Sequence, residues 1–253
     1  ILYSIISEDG ARKEKNTFNA DALEFSIDID KTGLHLIYIN RKGEFKYCLL
    51  SNNFWTIRTI CTLSNKFHRV RELSLSVTDE CVNMFYILLN ENSNYLASLY
   101  YNKWDGEECS NSIISDIRLL PNTSAHYYIE RLGQKDISLF LIDNVEEGGR
   151  IRNFKYIGGI FKARDLKFSL PGNTIDFTLI KHSEGVGFLN ISEDYQNYSL
   201  DYINVDSKGS IAINNIFKCG SMIKNPILIK DKEIIWAFWM IGNRVFYTIK
   251  KGN

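Results

Sequence analysis

Proline is scarce in this chain, with only Pro121, Pro171 and Pro226 in 253 residues, and the residues that build metal or nucleophile sites are scattered. The five cysteines (Cys48, Cys61, Cys81, Cys109 and Cys219) contain no C-x-x-C pair, and one is left over in any disulfide scheme. The four histidines (His35, His68, His126 and His182) stand at no metal-ligand spacing, so no metal and no cofactor are expected. There is no G-x-S-x-G elbow, and the glycine pairs Gly148-Gly149 and Gly158-Gly159 lie in turns with no helix after them, which excludes a phosphate loop. Thirty basic and thirty acidic residues cancel without a run of either sign, so neither nucleic acid nor an anionic membrane is an expected partner. The longest apolar run, IIWAFWMI at 234–241, is too short to cross a bilayer and reads as a strand buried on both faces. Cysteines inside apolar strand segments read as buried free thiols, which mildly favours the reducing cytoplasm. The first residue is Ile1, so the chain reads as an excised or processed piece, and a missing leader is no evidence of compartment.

What is present is a repeat. Strand-like runs recur about every 50 residues: LEFSIDI at 23–29, LSLSVTD at 73–79, HYYIE at 126–130, TIDFTLI at 174–180 and PILI at 226–229. A more apolar set follows each of these, from LHLIYIN at 34–40 to IIWAFWMI at 234–241, and then an aromatic-bearing set, from EFKYCLL at 44–50 to RVFYTIK at 244–250. A fourth set begins with WTIRTICTL at 55–63 and stops one member short at the C-terminal end. The missing member is matched at the other end by ILYSIIS, residues 1–7.

Alternating and β-branched runs of this length, divided by turns such as Asn40-Arg41-Lys42-Gly43, argue for antiparallel hairpins. A four-stranded sheet cannot cover both of its faces alone, and stacking equal sheets does so. The expected fold is therefore all-β: a five-bladed β-propeller, four antiparallel strands per blade, in one domain spanning 1–253. The blades fall at about 21–63, 71–120, 123–168, 173–218 and 225–250, the last closed by the N-terminal strand at 1–7. No segment sustains a capped helical period over three turns. The prolines fall between a fourth strand and the next first one, or at the latter's first residue, where no ladder hydrogen bond is lost.

The form F-S-I-D-I-D, G-L-H-L-I-Y, a K-G turn and E-F-K-Y resembles a β-propeller repeat family of clostridia and related low-GC Firmicutes. The resemblance is strongest over 23–63, weaker in the next repeat, and lost in the last three, which have no matching histidine. It implies a propeller, in some members followed by a helical, coiled-coil tail, and it carries no site residues.

Three kinds of site merit attention. Carboxylates ending the first strands (Asp28, Asp30, Asp79 and Glu130) are candidates for a glycan-active hydrolase, which needs two carboxyl groups about 5–9 Å apart, one with a raised pKa. The same residues are equally turn formers, Asp before Lys-Thr-Gly above all. Trp55 and Trp104 stand near the turn between third and fourth strands, and with Tyr101 and Asp105 they form a candidate ligand-binding set in which an aromatic face meets a polar partner. Against this, aromatics near strand ends also fill the wedge between sheets. The histidines lack convergent partners and read as structural. The expected function is a non-catalytic binding or scaffold module for a protein or glycan partner, with the hydrolase as the alternative.

Overall fold

The computed structural model describes residues 2–6, 12–18, 20–52, 54–63, 66–78, 81–120, 123, 125–131, 137–145, 148–170, 173–182, 185–206, 210–232 and 234–251. Strands dominate them. β1 (Leu2–Ile6) and β2 (Arg12–Thr17) form a two-stranded sheet. β3 (Ala22–Asp30), β4 (Gly33–Asn40), β5 (Glu44–Ser51) and β6 (Phe54–Thr62) form the first four-stranded sheet. β7 (Val70–Thr78), β8 (Cys81–Leu89), β9 (Leu96–Trp104) and β10 (Cys109–Arg118) form the second. β11 (Tyr127–Arg131), β12 (Ile137–Val145), β13 (Gly148–Ile157) and β14 (Ile160–Ser169) form the third. β15 (Asn173–His182), β16 (Gly185–Asp194), β17 (Asn197–Asp206) and β18 (Ile211–Cys219) form the fourth. β19 (Ile223–Asp231), β20 (Ile234–Ile241) and β21 (Arg244–Lys251) complete the set as a three-stranded sheet. The only helical element among the described residues is one short 3₁₀ turn, Phe67–Arg69, and no helix there is long and apolar enough to cross a membrane.

The chain divides into two compact units, residues 1–88 with 100–112 and residues 89–99 with 113–253. In the first unit, strand parity sets the core. Ile37 and Ile39 of β4 pair with Tyr47 and Phe45 of β5, and all four turn the same way, onto Leu75, Val77, Met84 and Tyr86 of the second sheet. Leu36, Tyr38 and Cys48 turn to the opposite face and are covered by Phe18. In the second unit, Phe140, Ile142 and Ile151 pack with Phe177, Phe188 and Ile203, while Leu189, Ile191 and Leu200 pack with Ala237 and Trp239.

β3 inverts the usual pattern. Its even-numbered residues Ser26 and Asp28 face β7, while Leu23, Phe25, Ile27 and Ile29 are exposed, Ile29 by 69%. The polar residues are there because β7 pairs with β8 along one edge only, so its outward N–H groups need acceptors. Ser26 Oγ accepts from Leu75 N–H at 3.0 Å and Asp28 Oδ2 from Val77 N–H at 2.7 Å. Each bond spans 49 residues, as does the bond in the second unit from the Tyr128 hydroxyl to the Phe177 carbonyl. The repeat read from the sequence is thus a repeat of contacts as well.

A second regularity is a register shift in the first strand of four sheets: between Ala22 and Glu24, Arg71 and Ser74, Thr174 and Asp176, and Lys224 and Ile227. Glu72 and Asn225 take left-handed φ values of 53° within these bulges. Pro226 sits at the last of them, inside β19 and not at a strand start, where the bulge removes the need for its missing N–H.

Within the expected closing strand, residues 2–6 form β1, which runs antiparallel to β2, from Leu2 opposite Thr17 to Ile6 opposite Arg12. One further expectation needs correction. β20 is buried on one face only: Ile235, Ala237 and Trp239 are buried, while Trp236, Phe238 and Met240 are half-buried. Trp236 and Phe238 cluster with Tyr247, which is 62% exposed. Of the five cysteines, all free, Cys48 is buried and the others are half-buried.

Asp28→Ala removes the acceptor of a buried edge N–H and is expected to cost about 1–3 kcal/mol, whereas Asp28→Asn, which keeps an acceptor oxygen, costs less. Urea unfolding of the two variants checks this; equal stability of Asp28→Ala and the parent would remove the bond from the fold's supports.

Candidate functional site

The turn from β3 to β4, Asp30-Lys31-Thr32-Gly33, is tied by its own side chains. Asp30 Oδ1 accepts the Thr32 N–H at 2.7 Å and the Thr32 hydroxyl at 2.6 Å. Gly33, at φ 148°, lies where an added Cβ would stand 2.2 Å from the Leu50 carbonyl oxygen, so the close return of β5 past this turn requires glycine.

His35, nearly fully buried, connects this turn to the sheet behind it. Its Nε2 lies 2.8 Å from Asp30 Oδ1 and its Nδ1 lies 2.6 Å from the Tyr47 hydroxyl. A carboxylate only accepts, which assigns the proton to Nε2; Nδ1 then accepts from Tyr47. Burial alone would raise the Asp30 carboxyl, but hydrogen bonds from Thr32 and His35 outweigh it and hold the group well below the usual carboxylate range. Burial pushes the Tyr47 phenol up to about 12, so it stays a donor. Phenol, imidazole and carboxylate form one chain of bonds ending at the surface.

That end opens into a cleft of about 510 Å³ between the first two sheets. Asp30, Thr32 and Tyr47 form its side from the first sheet, and Val77, Thr78 and Val82 with Trp104, Asp105 and Gly106 its side from the second. The Tyr47 and Trp104 rings meet at 5.4 Å and an angle of 56°, and the Arg58 guanidinium stands 6.0 Å from the Trp104 centroid. Trp104 is 9% exposed, so only a small part of it reaches the cleft. Asp105 starts the β9–β10 turn, and hydrogen bonds from the Glu108 and Glu107 N–H groups hold its carboxyl below the usual range.

The residues singled out from sequence therefore separate. Asp30, Trp104 and Asp105 share the cleft. Tyr101 does not: it is buried, donates to Asn83 Oδ1 at 2.7 Å and leans on Phe85. Trp55 packs on Phe18, centroids 4.8 Å apart, on the opposite face of the first sheet from Tyr47. Asp28 is engaged with β7. Asp79 lies outside the described residues. Glu130 belongs to the second unit, where burial raises its carboxyl against the opposing pull of Lys181 and Lys230. No group of three or more His, Cys, Asp or Glu side chains able to hold a metal occurs among the described residues. Thr32, His35, Tyr47 and Thr78 were not among the candidate site residues; hairpin pairing, which sets Asp28 opposite His35 and brings Asp30 within its reach, is the signal that leads to the first two.

No protein-family model matches the sequence, and no curated protein does. Solved structures do match in fold. The fucose-specific lectin from Aleuria aurantia is 13% identical, over 90% of this chain and 75% of that one, with a TM-score of 0.54. AofleA from Arthrobotrys oligospora is 14% identical, over 97% and 74%, with a TM-score of 0.53. A thermostable family-43 glycoside hydrolase is 9% identical, over 91% and 89%, with a TM-score of 0.52. At these identities the likeness is one of fold, and it is to all-β proteins of the propeller type.

The depressed Asp30 carboxyl has a sign that acid unfolding reads. Its contribution to stability is complete above the ordinary carboxylate pKa and is lost as pH falls from there toward the lower folded value. Asp30→Asn is expected to start from lower stability at neutral pH and to lose less below about pH 4 than the parent. Parallel stability curves for the two proteins would show that the carboxylate is not linked to folding.

Proposed function

We propose that this chain is a non-catalytic glycan-binding module that receives a neutral saccharide in the cleft between its first two sheets. The observation that carries the reading is the cleft's lining: two carboxylates from different sheets, Asp30 and Asp105, with Lys31 beside them, threonine hydroxyls at Thr32 and Thr78, and the side chains of Tyr47 and Trp104. Sugar hydroxyls donate to fixed carboxylates and exchange hydrogen bonds with the threonine hydroxyls. Fold neighbours named as a fucose-specific lectin and a family-43 glycoside hydrolase support a glycan-related role.

The hydrolytic alternative asks for a carboxyl kept protonated opposite an ionised one. Both carboxyls of this cleft are held below the usual range, which supports binding over hydrolysis. Of the carboxyls that burial raises, Glu130 stands in the other unit and Glu24 does not line the cleft.

A glycan array followed by calorimetry on the best binder tests the reading. Asp105→Asn keeps the turn acceptor but loses the charge, and it is expected to weaken binding about tenfold, the loss of one charge-assisted hydrogen bond. Thr78→Val should act in the same direction. An empty array, or affinity unchanged in both variants, removes the cleft as a glycan site; release of reducing ends from an oligosaccharide replaces binding by hydrolysis.

A further inference from the structure

Two thiols from different sheets meet over one buried amide. Asn102 on β9 is 2% exposed, and its Nδ2 lies 3.5 Å from Cys61 Sγ on β6 and 3.9 Å from Cys109 Sγ at the start of β10. Both cysteines are half-buried and pack against the cluster that holds Phe45 and Tyr86. β6 belongs to the first sheet and β10 to the second, and all three residues lie within the first compact unit. The Ser110 carbonyl, 3.9 Å from Cys109 Sγ, accepts that thiol's proton in its neutral form.

A neutral sulfur is a weak acceptor for an amide, and a thiolate is a much better one. Asn102 Oδ1 has no partner among the described residues, so this buried side chain is committed through its nitrogen to the two sulfurs. The thiols also act on each other. A hydrogen bond from Cys61 outweighs burial and, with one from Asn102, holds the Cys109 thiol below its usual range. The same bond, together with burial, raises Cys61. Cys109 is thus the readier thiolate and Cys61 the neighbour that keeps its proton. That division suits a pair in which one thiol attacks and the other resolves.

We propose that Cys61 and Cys109 form a peroxide-sensitive dithiol, whose oxidation ties the first sheet to the second through a disulfide. The Cys109 thiolate attacks one oxygen of hydrogen peroxide and the O–O bond breaks, leaving a Cys109 sulfenic acid and a hydroxide. That hydroxide takes the Cys61 proton and becomes water. The Cys61 thiolate then attacks the Cys109 sulfur, the S–O bond breaks, and a second hydroxide leaves. The two sulfurs together lose two electrons, which the two peroxide oxygens gain; a dithiol reductant reverses the link. Neither cysteine lines the cleft assigned to a glycan, so each proposal fails or stands by itself.

The test treats the reduced whole chain, kept dilute, with an equivalent of hydrogen peroxide and maps the unreduced peptides by mass. A peptide linking Cys61 to Cys109 is expected as the main disulfide. The link should raise the thermal midpoint by about 4 °C or more, and dithiothreitol should reverse the rise. In Cys61→Ser, where the serine hydroxyl still donates, Cys109 should stop at the sulfenic acid and be trapped by dimedone. In Cys109→Ser, Cys61 should oxidise at least about tenfold more slowly than Cys109 does in Cys61→Ser. Absence of the linked peptide, a main linkage to Cys48, Cys81 or Cys219 or between chains, an unmoved midpoint, or equal oxidation rates in the two variants would each overturn the proposal.

Discussion

The structure depends on how one edge strand is satisfied by the next. β7, the first strand of the second sheet, has a partner on one side only, and its other side lies against the first sheet, where its N–H groups need acceptors. Ser26 and Asp28 meet that demand for β7. This is why a strand whose outward face is Leu, Phe and Ile turns its polar residues inward: the interior, on that side, is where acceptors are needed. Hydrophobic packing of Ile37, Phe45, Leu75 and Met84 fills the rest of the interface, but it has no direction. The hydrogen bonds set how the two sheets slide along each other.

The cleft follows from the same arrangement. The polar series Ser26, Asp28, Asp30 divides between two tasks. Asp28 is used up by Val77, whereas Asp30 folds back on Thr32 and His35 and remains at the opening. One strand thus carries a structural and a surface carboxylate two residues apart. Their spacing in sequence is too close to distinguish them; their partners do.

Much of the architecture was legible because turns and strand periods are local. Asn40 of the Asn-Arg-Lys-Gly turn accepts from the Lys42 and Glu44 N–H groups, as a turn-forming asparagine should, and the 50-residue recurrence became a set of 49-residue bonds. The bulges at Glu72 and Asn225 left no such mark, since a left-handed glutamate or asparagine is imposed by the ladder around it and not by the residue. The candidate site was legible in part. Trp55 and Trp104 flank comparable turns, but one begins β6 and the other ends β9, and a period of two sends their rings to different faces. Tyr47 was invisible as a site residue because its role rests on His35, twelve positions earlier and one strand over.

The constant spacing between acceptor and donor also bears on how such a chain grows. β3 offers acceptors to β7, and β11 offers a hydroxyl donor to β15 at the same interval. Copying one segment of about this length would therefore produce a neighbour that already fits its parent, with no new surface to invent. Lengthening or shortening is tolerated in the turns, since they lie outside the bond, but a shift within the first strand would break both of its seams at once. Genetic duplication and drift would then leave what is seen in this chain: side chains that diverge freely, and an interval that does not.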